Sequence, residues 1–115
     1  VEIGAHSVHH PNLELATEEF TQREMVESRQ YLEELLQSSV TGFAYPGGRM
    51  RGETANLARE LGFAYSMSTN SGINRPPYDR YVLRRIGMPN SKLADFRRAV
   101  SNAMTRRTSN AGRNF

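Results

Sequence analysis

No cysteine occurs in the sequence. Disulfides and thiolate zinc sites are therefore excluded, the redox compartment cannot be read, and any bound metal must be held by His, Asp or Glu. No run of about 18 apolar residues is present, so nothing here is long enough to span a membrane. No charged-then-apolar leader opens the chain. Val1 starts directly in an apolar, strand-like stretch without an initiator Met, so further sequence is expected upstream. Lysine is almost missing, with Lys92 alone among 15 basic residues. Aspartate is scarce too, at Asp79 and Asp95 only.

The formal charge of +3 hints at nucleic acid, but its placement argues otherwise. Residues 101–115 carry Arg106, Arg107 and Arg113 and no acid; without these three the 15 basic residues fall to 12, matching the 12 acidic ones. The basicity belongs to a tail rich in Ser, Asn, Thr and Arg, expected to be disordered. A nucleic-acid module would spread its Lys and Arg over a folded face with aromatics between them. We expect no nucleic-acid partner, and divide the chain into a folded section, 1–100, and a basic tail, 101–115.

Hydrophobic residues make up 37% of the chain, enough for a core but not a rich one. Val1–Ser7 reads as a strand entering a loop. Pro11 should hold His10 extended and keep the histidines off a helix. Thr17 is placed to cap a helix reaching about Gln37, with Glu18 and Glu19 in its first turn. Met25, Arg29, Leu32, Leu35 and Leu36 give it one buried stripe. Phe43–Tyr45 is a short strand stopped by Pro46-Gly47-Gly48. Glu53–Leu61 is a second helix closed by Gly62. Phe63–Ser68 is a strand, 69–80 a loop, Tyr81–Ile86 a strand, and a last helix capped by Asn90 or Ser91 reaches about Met104. This alternation predicts an α/β fold with a largely parallel sheet. A closed (β/α) barrel takes about 250 residues, so the chain reads as a section of one.

All three histidines lie within five positions, in Ala5-His-Ser-Val-His-His-Pro11. Imidazole is the commonest protein ligand for metal ions. His6 and His10 share parity along an extended strand and can converge, while His9 points elsewhere. Ser7 could hold the bend. Ordinary loop histidines beside a proline are the competing reading. Asp79, Asp95 and Glu2 make poor third ligands from their positions, so that carboxylate is expected outside this chain. In Phe43-Ala-Tyr-Pro-Gly-Gly48 the two glycines let a ligand approach the main chain, and an amide there could face a developing oxyanion; a plain strand-ending turn is the alternative. In Leu83-Arg-Arg-Ile86 one arginine faces the interior, where it needs a partner, unless the strand end is solvated.

In series these pieces resemble the polysaccharide deacetylase family (carbohydrate esterase family four). The resemblance spans about Val1–Val100. It rests on His6-Ser7-x-x-His10 with its following Pro-x-Leu, on Phe43–Gly48, on the run from Leu61 to Thr69, on Gly72-Ile-Asn74 and on Leu83–Ile86. It implies a distorted (β/α) barrel and a metal-dependent hydrolysis of N-acetyl groups on an amino-sugar polysaccharide. It further implies a divalent cofactor, zinc first and cobalt, nickel or manganese otherwise, held by His6 and His10. Gly47 would supply an oxyanion amide, Arg85 would be the site-side arginine, and Tyr45, Pro46 and Gly48 would contact substrate. The partner is a carbohydrate bearing N-acetyl groups, and the family often works at the cell envelope. Against the family pattern, the paired aspartates of the first motif and the late histidine are missing, and Ala44 replaces an arginine. The chain alone is therefore expected to be incomplete for catalysis. A non-catalytic glycan- or metal-binding relative, or a deacylase of small non-sugar amides, are the alternatives.

Overall fold

The computed structural model describes residues 1–90 and 92–105. Helix α1 spans Glu18–Leu36, strand β1 Gly42–Ala44, helix α2 Gly52–Glu60, strand β2 Tyr65–Ser71, strand β3 Leu83–Arg85 and helix α3 Leu93–Thr105. The strands form one sheet in the order β1-β2-β3, and both pairings are parallel. A parallel neighbour must be reached by a crossover. Helix α2 provides it between β1 and β2, and an irregular segment does so between β2 and β3. The expected largely parallel α/β architecture is borne out.

The amino-terminal segment joins the sheet more weakly than its apolar run suggests. Among the described residues it pairs through a single parallel bridge of Ala5 with Phe43, in which the Ala5 amide donates to Gly42 O at 2.8 Å and the Ala44 amide to Ala5 O at 2.9 Å. Strand β2 starts later than expected, because the Phe63 amide still closes the end of α2 on Ala58 O and the Ala64 amide donates to Thr41 O. It continues to Ser71, which pairs with Arg85. Strand β3 is shorter than expected: an Asx turn, with Asp79 Oδ1 accepting the Tyr81 amide, holds the chain before Leu83.

Helix α1 begins where capping chemistry places it. Thr17 Oγ1 accepts the Phe20 amide, and Gln37 closes the far end in the left-handed conformation. Its buried face differs from the expected stripe. Thr21, Glu24, Met25 and Ser28 are buried and Leu32 is packed on the core, while Leu35 is 67% exposed and Leu36 39%. Arg29 does not extend the apolar stripe but ties α1 to α2. Its guanidinium donates to Leu61 O at 2.6 Å, at the carboxyl end of α2, and lies 4.5 Å over the Phe63 ring. Helix α3 reaches Thr105, five residues into the stretch assigned to the tail. The remaining tail, 106–115, and the expected cap at Ser91 lie outside the described residues.

The core centres on Phe43, Tyr45 and Phe63, with ring centroids 5.8 Å apart for Phe43–Tyr45 and 5.5 Å for Phe43–Phe63. Beside it the buried face of β2 is polar: Ser66, Ser68 and Asn70 alternate inward. Ser66 Oγ and the Tyr45 hydroxyl are 2.6 Å apart and share the Tyr81 carbonyl at 2.8 and 2.7 Å. The Tyr81 hydroxyl in turn donates to Phe63 O. Burial pushes the Tyr45 phenol up to about 12, so it stays a neutral donor across the working range. Two substitutions weigh these contributions by chemical denaturation. Phe43→Ala should lower stability by about 3–5 kcal/mol through lost burial and a cavity. Tyr45→Phe should cost only about 1–2 kcal/mol, because Ser66 still satisfies the Tyr81 carbonyl.

Candidate metal centre

The histidine segment follows directly on the Ala5–Phe43 bridge, so the sheet sets where it starts. His6 Nδ1 lies 2.8 Å from the carbonyl oxygen of Ala44 at the end of β1. A carbonyl only accepts, so Nδ1 carries the proton and Nε2 keeps its lone pair. A metal-ligating histidine is held in the same way, its second ring nitrogen donating to a carbonyl or carboxylate that fixes the tautomer. The His6 and His10 rings stand edge-on, centroids 5.0 Å apart, and both are exposed. That separation suits one ion bound at about 2.0–2.1 Å by a nitrogen of each ring.

Convergence of the two rings was expected from strand parity, but the structure achieves it differently. His10 is not extended: Ser7 and His10 both take positive φ, 68° and 54°. Such backbone costs about 1–3 kcal/mol per residue and persists only when neighbours over-determine it. Ser7 Oγ accepts the His10 amide at 3.0 Å and holds the bend, as its position suggested. His9 turns away from the pair, also as expected, and meets Glu24. The Glu24 carboxylate takes the His9 amide on Oε1 and His9 Nδ1 on Oε2, each at 2.8 Å.

Glu24 is the residue that sequence reasoning missed. It is 1% exposed, on the same face of α1 as Thr21, Met25 and Ser28. An acid between Thr21 and Ser28 at helical spacing was the available signal, because it places a carboxylate on the core face. Burial acts to raise its pKa. The His9 amide, the His9 ring and the Val8 amide outweigh burial and bring it below the ordinary 4.5.

The other candidates lie apart from the ring pair or are engaged. Tyr45 and Pro46, expected to touch substrate, are buried; the Tyr45 side chain belongs to the core, which corrects that expectation for both side chains. Pro46–Gly48 forms a 3-10 turn whose Gly48 amide donates to Tyr45 O at 2.8 Å and is thereby consumed. Gly48 is also tightly enclosed: at φ +70° an added Cβ would collide with the Thr69 side chain. The Gly47 amide precedes the first hydrogen bond of that turn, and the Tyr45 side chain makes no cap there. Arg85 is exposed, with Nε donating to Ser68 O at 2.8 Å. Glu2 accepts the Tyr65 hydroxyl, and that hydrogen bond raises the phenol pKa. Asp79 is occupied by its turn and Asp95 pairs with Arg98 at 3.1 Å. Among the described residues no group of three or more His, Asp or Glu is arranged to hold a metal.

The lowered Glu24 pKa has a consequence for stability. A depressed carboxylate contributes fully above its ordinary value and loses that contribution as pH falls through the folded value. Denaturation midpoints measured from pH 6 down to pH 3 should fall less steeply for Glu24→Gln than for the unaltered chain.

Three kinds of comparison place this geometry among known proteins. A family model described as polysaccharide deacetylase matches residues 1–66. YxkH of Bacillus subtilis (strain 168), itself assigned to the polysaccharide deacetylases, is 27% identical over 86 residues, covering 75% of this chain and 31% of that protein. The Streptococcus pyogenes deacetylase PplD, solved in complex with acetate, superposes with a TM-score of 0.76 at 31% identity, over 84% of this chain and 43% of that one. BC0361, a polysaccharide deacetylase from Bacillus cereus, shares the fold with a TM-score of 0.72 at 16% identity, over 86% of this chain and 32% of that one. The chain therefore spans less than half the length of each of these relatives, and its three-stranded sheet is an open portion of their fold. With that family model matching more than half of its residues, this chain belongs to the polysaccharide deacetylase family.

Proposed function

We propose that the polypeptide carrying this chain hydrolyses N-acetyl groups on an amino-sugar polysaccharide, using a divalent ion held in part by His6 and His10. The observation that carries this reading is the His6 ring, locked by Ala44 O with Nε2 free, standing 5.0 Å from the His10 ring. A bound zinc ion, or cobalt, nickel or manganese in its place, would polarise an acetyl carbonyl and acidify a water. The chain's own residues do the rest of what it can contribute. Ala44 O retains the His6 Nδ1 proton and keeps the ring in one orientation. Ser7 holds the backbone from which His10 projects. The Gly47 amide, unused by its own turn, is the candidate donor to the oxygen that gains charge as the acetyl carbon becomes tetrahedral. The third ligand and the general base are carboxylates supplied from outside residues 1–105, in keeping with the family resemblance. Arg85, already tied to β2, is assigned to orient a carboxylate of the completed site.

Acetate release from chitin oligomers by the metal-loaded polypeptide tests this reading. His6→Ala and His10→Ala should each lower kcat/KM by more than about 100-fold, beyond the 10–100-fold typical of losing a group behind a ligand. Chelation should abolish turnover and zinc should restore it. Undiminished activity in either variant would remove the metal assignment, and activity confined to small cyclic amides would replace the polysaccharide with a non-sugar substrate.

A further inference from the structure

A carboxylate in a protein interior is costly unless its oxygens are satisfied. Glu24 is 1% exposed, on the buried face of α1 with Thr21, Met25 and Ser28. Its oxygens take the His9 main-chain amide and the His9 ring, and the Val8 amide also bears on them. His9 is not one of the converging pair, but it lies between the two positive-φ residues, Ser7 and His10, that create the convergence. Its amide therefore reports the position of the main chain at the bend. The polar anchors of the loop include His6 to the sheet, His10 to Ser7 within the loop itself, and His9 to α1. Of these, the contact with Glu24 is the one that fixes the bend against a different layer of the fold, and the one that uses a charge. Charge-assisted hydrogen bonds are about twice as strong as neutral ones.

We propose that Glu24 is a positioning residue for the metal site: through His9 it holds the loop in the strained backbone that brings His6 and His10 together. Glu24 touches neither ring of the pair, so it acts on geometry alone. This inference rests on the reading of His6 and His10 as ligands.

The test uses the polypeptide carrying this chain, stripped of metal and titrated with zinc by calorimetry and with cobalt by visible absorption. Glu24→Gln keeps the shape of the side chain but replaces one acceptor oxygen with a donor NH2 and removes the charge. It should weaken zinc binding about 10–100-fold and alter the cobalt absorption bands. His9→Ala removes only the ring half of the contact, so it should weaken zinc less than Glu24→Gln does while still falling below the unaltered protein. Leu57→Ala, a destabilising change in the core on α2, should leave both readouts unchanged, which separates positioning from loss of stability. Unaltered zinc affinity and cobalt spectrum in Glu24→Gln, with His6→Ala and His10→Ala still defective, would overturn the positioning role and leave the metal assignment standing. Should Glu24→Gln not fold, unchanged binding in His9→Ala overturns it equally. Full zinc affinity in His6→Ala and His10→Ala would overturn both.

Discussion

The hydrogen bond from the His6 imidazole to the Ala44 carbonyl joins the chemistry of this chain to its fold. Ala44 ends β1, whose place is set by parallel pairing with β2 and by the Phe43–Phe63 contact beneath it. A side chain anchored to that carbonyl inherits the rigidity of the sheet. It is also fixed in one tautomer, because a carbonyl can only accept. The loop beyond it has no such ladder. Its shape comes from Ser7 and Glu24, two side-chain acceptors that hold main-chain amides in a backbone ordinary residues avoid.

The interior behind this site is unusually polar for so small a layer. Ser66, Ser68 and Asn70 line the buried face of β2, and the Tyr45 and Ser66 hydroxyls meet at the Tyr81 carbonyl. Those bonds link the turn after β1, the start of β2 and the approach to β3. The Pro46–Gly48 turn is thereby held to the sheet by the residue preceding it. An amide in that turn keeps its position because Tyr45 is buried, so a residue expected to contact substrate instead supports the turn that offers an amide.

Much of the fold was legible along the chain. The Thr17 cap and the Gly62 close are local chemistry, and the helix limits followed within a residue or two. Strand limits were less legible, because a strand is defined by what pairs with it. The apolar run at Val1–Ser7 has β1 as its partner at a single bridge, and β2 gains its last residues from Arg85. The stripe on α1 was half legible: Met25 and Leu32 follow the 3.6-residue period into the core, but Leu35 and Leu36 on the same run are exposed, since coverage depends on what packs against the helix.

The sequence by itself offered histidines as the metal candidates, paired His6 with His10 by parity, set His9 apart, and determined that the strands would run largely parallel. Residue type, spacing and the order of elements suffice for those, since each is a property of neighbours along the chain. Only the tertiary structure decided that two left-handed residues rather than strand parity bring the rings together. It alone decided that Ala44 fixes the His6 tautomer and that a buried acid on α1 holds the bend. These depend on atoms brought within hydrogen-bonding distance across 38 and 15 residues of sequence, and separations of that kind are set by packing.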